Sequence, residues 1–342
     1  MNIRQLRKLV NETVSKERRK SRRRARRNWN RTINETTMLV EKFNSAEIPL
    51  KLSDTDVATA QQVVKSGDGD KDKVTVQPIT DVPVTEVFPS QNTMHLGKAI
   101  GFMMGMINGT MWDTEGGTSG GIGGDMGAFI SVGGGKKYLL DGHHRWIATA
   151  MADSGASIGG IGIDQPPDEA IATMNTMTAG LMGHNKGKGG SGGFEQFTDE
   201  KTIKDAIIAC FEGKLKDDKG RTVKVPNEGS NGKALLANWC GVDENGSDAD
   251  VADAAAKKIR TNLSNVPGAK PSAVYSKAPA RSDMPVADDA KHAGKSGGAS
   301  TIGTGSGARG KISDMLNKGE VNVQVESINL ERWSKLAGIL KD

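Results

Sequence analysis

The sequence predicts an α+β fold in which a small mixed sheet packs against helices. A methionine-rich apolar stripe recurs with helical period in residues 99–106. Two short apolar runs flank the triple glycine 133–135, as in a β-hairpin. "SIGGIGID", residues 157–164, has the pattern of a strand, and "PPDEAIATMNTMTAGLM", residues 166–182, has that of a helix. These patterns place a sheet domain in the middle of the chain.

Residues 1–45 are predicted to form a basic helical arm. Residues 1–32 hold thirteen Lys or Arg against two Glu, a local net charge of +11, so the rest of the chain carries −6 of the total of +5. Such a block is typical of contact with a polyanion, because Lys and Arg neutralise phosphates without reading sequence. We expect non-specific nucleic-acid binding through Arg18, Arg19, Arg22, Arg23, Arg24, Arg26 and Arg27.

The remaining organisation follows from changes in composition. Aromatic residues make up 4% of the chain and there are 44 glycines, so one compact domain with long irregular flanks is expected. The predicted segments are a linker at 46–77, a sheet domain at 78–185, a flexible connector at 186–194, a small helical region at 195–263, a disordered linker at 264–311, and a C-terminal strand with an amphipathic helix at 312–342.

Four elements are predicted in the first part of the sheet domain. "ITDVPVTEVF", residues 79–88, reads as one strand that closes at Pro89. The methionine stripe predicts a helix with a core-facing side. A hairpin from Phe129 to Leu140 then delivers Asp141, and a helix follows from Arg145 to Ser154.

Two classes of protein are disfavoured by composition. The two cysteines, Cys210 and Cys240, are too few and too far apart for a disulfide framework or a zinc site. No run of eighteen apolar residues is present, and the N-terminal segment lacks the apolar core of a secretory signal. We therefore expect a cytoplasmic protein with no membrane partner.

The stretch "KKYLLDGHHRWIATAMA", residues 136–152, holds the candidate site. A strand stops at Asp141-Gly142 and a helix begins at once, which leaves free backbone N–H groups and a positive dipole end. Gly142 allows a phosphate to approach closely, and Arg145 can add a bidentate contact. The turn is thus predicted to bind an anion.

The neighbouring side chains add candidate chemistry. His143 and His144 can exchange protons near neutral pH, and Asp141 could hold a magnesium ion or orient an imidazole. The alternatives stay open at this point: either histidine could be a hydrogen-bonded, half-buried side chain, and Arg145 could form a structural salt bridge.

"YLLDGHHRWIATA" resembles the signature of the ParB/sulfiredoxin superfamily, with matches at Gly142, Arg145, Trp146, Ala148 and Ala150. "VPVTEVFPSQN" is similar to the family's first strand and Pro/Gln loop, and "IGGIGID" with "DEAIATM" is similar to the strand and helix after the signature helix. The resemblance covers residues 78–185, roughly a third of the chain.

The resemblance implies a site for nucleotide phosphates at the turn, with Ser90 and Gln91 contributing from the preceding loop. It implies a nucleotide such as CTP, ATP or ADP, with Mg²⁺. Members include partition proteins, sulfiredoxins, free-serine kinases and ParB-like nucleases, so nuclease, phosphotransferase or hydrolase activity is an expectation.

Departures from the family pattern narrow these expectations. Sulfiredoxins carry a reactive Cys where this chain has His143, so their thiol chemistry is excluded. The loop "FPSQNTMHLG" has no Arg, and Met177-Thr178 stands where partition proteins have Glu-Asn to close over CTP.

Two other functions remain as alternatives. One is a DNA-binding, partition-like module without catalysis. The "DGHHR" form is similar to stand-alone and phage-encoded members, so the other is a phage head or scaffold-associated protein. That alternative implies phage structural proteins as partners and a location in the cytoplasm of a bacterial host or in a virion.

Overall fold

A computed structural model describes residues 50–52, 56–63, 74–109, 122–182, 192–218, 220–223, 232–285 and 306–319. All of them lie in the unit Ile48–Val323. They form eight α-helices and one five-stranded mixed sheet, so the predicted α+β class is confirmed. No helix among these residues combines the length and apolar character that a membrane crossing needs. The predicted basic arm lies outside the described residues.

The sheet has the strand order β1-β5-β3-β4-β2. Strands β1 and β5 are antiparallel, β5 and β3 are parallel, β3 and β4 form the predicted antiparallel hairpin, and β4 and β2 are parallel. The strands are β1 Val76–Pro83, β2 Val87–Pro89, β3 Gly124–Ser131, β4 Lys137–Asp141 and β5 Ser157–Ile163.

The segment predicted as one strand is divided in two, which corrects that prediction. A 3-10 turn, Val84–Glu86, separates β1 from β2, and Pro83 has no N–H with which to continue the ladder. β1 and β2 nevertheless lie at opposite edges of the sheet. The four Cα–Cα steps from Pro83, the end of β1, to Val87, the start of β2, span at most about 14 Å. The outer strands of a flat five-stranded sheet lie about 19 Å apart. The sheet is therefore curled, so that its two edges approach each other.

Eight helices accompany this curled sheet in the described residues. They are α1 Asp56–Val63, α2 Leu96–Ile107, α3 His143–Ala152, α4 Pro167–Met182, α5 Glu200–Phe211, α6 Lys233–Cys240, α7 Asp248–Ser264 and α8 Ser306–Lys318. Helix α3 packs against α2 and α7, while α4 contacts β4 and α1. The helices predicted within residues 195–263 are α5 to α7, and they share one apolar core with the sheet and α2.

The centre of that core is Trp146 of α3, which is fully buried. Its indole Nε1 donates a hydrogen bond to the carbonyl oxygen of Val84 at 3.2 Å, so the bend between β1 and β2 is fixed to α3. In the methionine stripe Ala99, Met103 and Met106 are buried, as the helical pattern predicts.

Residues 264–285 are ordered along the sheet edge, which corrects the expectation of disorder for this part of 264–311. They form three 3-10 turns, Pro267–Ala269, Pro271–Ala273 and Arg281–Asp283. The Tyr275 N–H donates to the Pro89 carbonyl at 2.9 Å. A Cβ at Gly268 would lie 2.2 Å from the carbonyl oxygen of Val87. The segment can pack this closely on β2 because Gly268 has no side chain, and amino-acid composition does not reveal such a tertiary contact.

Three further segments differ from the sequence prediction. The predicted linker at 46–77 contains helix α1 and the start of β1. Phe194, at the end of the predicted connector, is buried and begins a 3-10 turn. At the C-terminal end, residues 312–318 belong to α8, whose Asn317 side-chain amide bonds both the N–H and the carbonyl of Val76. Residues 320–342, with the predicted strand and amphipathic helix, lie outside the described residues.

Substituting Gly268→Ala should detach or strain the segment 267–285, because the added Cβ meets backbone that cannot move aside. We expect a loss of about 1–3 kcal/mol in the free energy of unfolding, as for overpacked sites. Urea unfolding measures this loss, and limited proteolysis locates it. Ser272→Ala, at an exposed position of the same segment, is the control. Equal stability of the two variants would contradict the packing described.

Candidate functional site

The candidate site lies where two parallel strands end. β2 and β4 are neighbours in the sheet and run in the same direction, so their carboxyl ends meet at one edge. Helix α2 begins shortly after β2, and helix α3 begins directly after β4. Two positive helix ends therefore face the same region, a place where open sheets commonly bind ligands.

Gly142 makes the turn from β4 into α3. It is the N-cap residue with a φ of +99°, a left-handed conformation that favours glycine. Its carbonyl accepts the N–H groups of Arg145 at 2.9 Å and Trp146 at 3.0 Å. The N–H groups of His143 and His144, in the first two helical positions, have no acceptor among the described residues. These two amides are the donors that the sequence predicted for an anion.

His143 is a buried acceptor of a backbone hydrogen bond. Its Nε2 accepts the N–H of Ser90 at 3.2 Å, and only 4% of the residue is exposed. Burial, ahead of the charges of Arg281 and Arg145, lowers its pKa to about 4 against the opposing effect of Asp141. The ring is therefore neutral at pH 7 and holds the loop after β2 against α3.

His144 likewise accepts a backbone hydrogen bond, from the residue that begins α2. Its Nε2 accepts the N–H of His95 at 2.9 Å, and His95 is the N-cap residue of α2. Burial lowers the pKa of His144 well below its ordinary value, and the positive charge of Lys98 lowers it further. The paired histidines thus join the loop 90–95 to α3 at both of its ends.

Arg145 lies over the turn. Its Nη1 donates to the carbonyl of Met126 at 2.6 Å, and its Nη2 lies 3.3 Å from Oδ2 of Asp141. The same Nη2 lies 3.4 Å from where a Cβ on Gly142 would be. The Asp141 side chain is 61% exposed and that of Arg145 20%. Because the Asp141 carboxylate is largely exposed, solvent and salt screen its attraction to Arg145, so an anion can compete with Asp141 for the guanidinium.

Two cations that the sequence did not single out surround the turn. Residues 264–285, which lie along the sheet edge, are called the edge segment. Arg281, in its last 3-10 turn, lies close enough to lower the pKa values of both His143 and His144. Lys98, in the first turn of α2, lowers the pKa of His144 and forms an ion pair with Asp218. No local pattern marks Arg281, because its position depends on how residues 267–285 pack along β2.

Ser90 and Gln91 hold the shape of the loop. Ser90 is fully buried and its hydroxyl donates to the carbonyl of Leu139 at 2.6 Å. The Gln91 side-chain amide donates to the carbonyl of Thr93. The structure thus brings both residues to the turn, with their side chains engaged in internal hydrogen bonds. The arginines expected to contact nucleic acid lie outside the described residues.

The residues present do not fit a magnesium ion held by the protein. In the described part of the chain, no group of three or more His, Cys, Asp or Glu side chains is placed to hold a metal. Asp141 stands beside the guanidinium of Arg145, which competes with a cation for the same carboxylate. A nucleotide phosphate fits the donors of the turn better, because backbone N–H groups and guanidinium groups are what phosphates bind.

No family model, curated protein or solved structure matches this chain.

Acid should destabilise the fold through His143. Its folded pKa of about 4 lies below the ordinary value of 6.5, so the unfolded chain binds more protons between these pH values. This contribution to stability is present above pH 6.5 and is lost as the pH falls to about 4, at a total of roughly 3 kcal/mol. Urea unfolding across this range measures the loss.

His143→Gln is the matched variant, since an amide oxygen can still accept the Ser90 N–H but does not titrate. The acid-dependent part of the stability should shrink in this variant relative to wild type. Identical pH profiles for the two proteins would show that His143 is not a buried neutral acceptor.

Proposed function

We propose that this protein binds a phosphate group of a nucleotide or of a nucleic acid at the turn between β4 and α3. One arrangement carries the proposal. The backbone N–H groups of His143 and His144 have no acceptor among the described residues, and the guanidinium of Arg145 lies beside them, over Gly142. Arg281 and Lys98 add positive charge from two other segments. Phosphate is the ligand class that such a set of donors recognises.

Support also comes from the order of elements. A strand with its loop comes first, and after α2 and β3 the strand ending at the turn, the helix beginning at His143, a strand and a helix follow. The resemblance to the ParB/sulfiredoxin superfamily implies the same order for the loop, the strand before the signature helix, that helix, and the strand and helix after it. The curled mixed sheet places the loop after β2 beside the start of α3. We propose membership of that superfamily on this ground and on the residues that match its signature.

The geometry favours binding over proton transfer by the histidines. Both Nε2 atoms accept backbone hydrogen bonds, and both rings have lowered pKa values. A general base needs a free lone pair and a pKa near the working pH. We therefore propose that His143 and His144 position the loop and leave their backbone N–H groups to the phosphate, and we assign no catalytic step.

Replacement of Arg145 should weaken phosphate binding. A charge-assisted hydrogen bond contributes about 1.5–3 kcal/mol, so Arg145→Gln should lower the affinity for pyrophosphate, CTP, ATP or ADP by about 10- to 100-fold. Thermal shift in the presence of each ligand is the measurement, since ligand binding raises the melting temperature by mass action. Arg221→Gln is the control, because Arg221 also pairs with an aspartate four residues away, Asp217, and its own side chain is 68% exposed.

Replacement of Asp141 should have the opposite effect. Asp141→Asn removes the carboxylate that competes for Arg145, so phosphate affinity without magnesium should rise several-fold. The side chain is exposed, which keeps the fold intact. Weaker binding in this variant would contradict the proposal and would favour Asp141 as a ligand of a metal bound with the nucleotide.

The basic arm supplies a second candidate function, which is non-specific contact with nucleic acid. The net charge of +11 in residues 1–32 is the observation that favours it. Deleting these residues should reduce affinity for DNA at low salt and flatten the dependence of affinity on salt concentration, because fewer counterions are released. A salt titration that gives the same slope with and without the arm would exclude this role.

A further inference from the structure

A cluster of aromatic rings lies on the sheet beside the candidate site. Phe88 of β2 is in register with Tyr138 of β4, and their ring centroids are 5.9 Å apart. Tyr138 meets Tyr275 of the edge segment edge-on, with centroids 4.9 Å apart. Both tyrosines of the chain are in this cluster. All three residues are partly exposed.

Two lysines lie beside these rings. Lys136 is exposed, and its Nζ lies 4.9 Å from the centroid of Phe88. Lys277, two residues after Tyr275, forms an ion pair with Asp168, whose side chain is 38% exposed. An exposed pair of this kind contributes little to stability. The two lysines outnumber the one carboxylate, so the cluster is complementary to an anion.

We propose that Phe88, Tyr138 and Tyr275 form a stacking surface for the bases of single-stranded nucleic acid, with Lys136 and Lys277 contacting its phosphates. Partly exposed rings combined with cations are how such strands are bound without sequence preference, because every base has a face that can stack. A rigid sheet carries two of the rings, and this lowers the entropy lost on binding.

This surface and the phosphate site share no side chain. They are nevertheless close in the fold, since the Tyr275 N–H donates to the carbonyl of Pro89, the residue before Ser90. Tyr138 and Asp141 are on the same strand, three residues or about 10 Å apart. Each site therefore acts through its own residues.

The test compares two labelled ligands by fluorescence anisotropy with the full-length chain. One is an oligothymidine of about twenty nucleotides, enough to span a site of this kind, and the other is its abasic analogue of equal length and charge. The basic arm and all lysines meet the same phosphates in both. Wild type should bind the oligothymidine about tenfold or more tightly than the abasic strand, from stacking of one or two bases.

Variants then assign this preference to the rings. Tyr275→Leu should reduce the ratio of the two affinities towards one, while Tyr275→Phe should keep it. Tyr138→Leu and Tyr138→Phe form a second such pair, which keeps the test decisive if one leucine variant unfolds. Lys136→Gln should weaken both ligands equally, and Lys201→Gln, at an exposed lysine of α5, should change neither.

Equal affinity for the two ligands in wild type would overturn the inference, and so would a ratio unchanged in the leucine variants. Ring-dependent binding of a proline-rich peptide, without binding of the oligothymidine, would assign the surface to a protein partner instead. Arg145→Gln separates this inference from the proposed function. It should lower the affinity for pyrophosphate by about 10- to 100-fold and leave the ratio of oligothymidine to abasic affinity intact.

Discussion

The short connection between β1 and β2 constrains the whole domain. Three residues join two strands that lie at opposite edges of the sheet, so the sheet has to curl. The hydrogen bond from Trp146 to Val84 holds this bend against α3. The candidate site lies at the start of α3. The hydrogen bond of Trp146 is therefore within one helical turn of the residues proposed to bind phosphate. Core packing and site geometry therefore depend on the same helix.

The two histidines hold the loop 90–95 beside the start of α3. The bonds from the N–H groups of Ser90 and His95 to the two rings fix its position. The Ser90 N–H is buried, and a buried donor left without an acceptor costs about 1–3 kcal/mol. The arrangement requires both rings to be neutral, which is why residues suited to proton exchange have a structural role here.

Local sequence patterns were sufficient for the hairpin of β3 and β4, for α3 and for β5 with α4, because alternation and helical period report directly on burial. They were insufficient where the fold depends on distant contacts. The split between β1 and β2 depends on strand order, and the order in residues 264–285 depends on the fit of Gly268 against β2. For the site, sequence placed Gly142 and Arg145 at the turn, but neither the burial of His143 nor the proximity of Arg281 is a local property.

The pH dependence of anion binding depends on which side chains supply the positive charge. If His143 and His144 were its cations, affinity for an anion would fall steeply between pH 6 and 7.5, since an ordinary histidine loses its proton there. The positive charges near the turn belong to Arg145, Arg281 and Lys98, and both histidine rings have lowered pKa values. Burial is the largest cause of these lowered values, and the neighbouring cations lower them further. Affinity for an anion at this turn should therefore not follow the protonation of histidine, and acid acts through the loss of the fold.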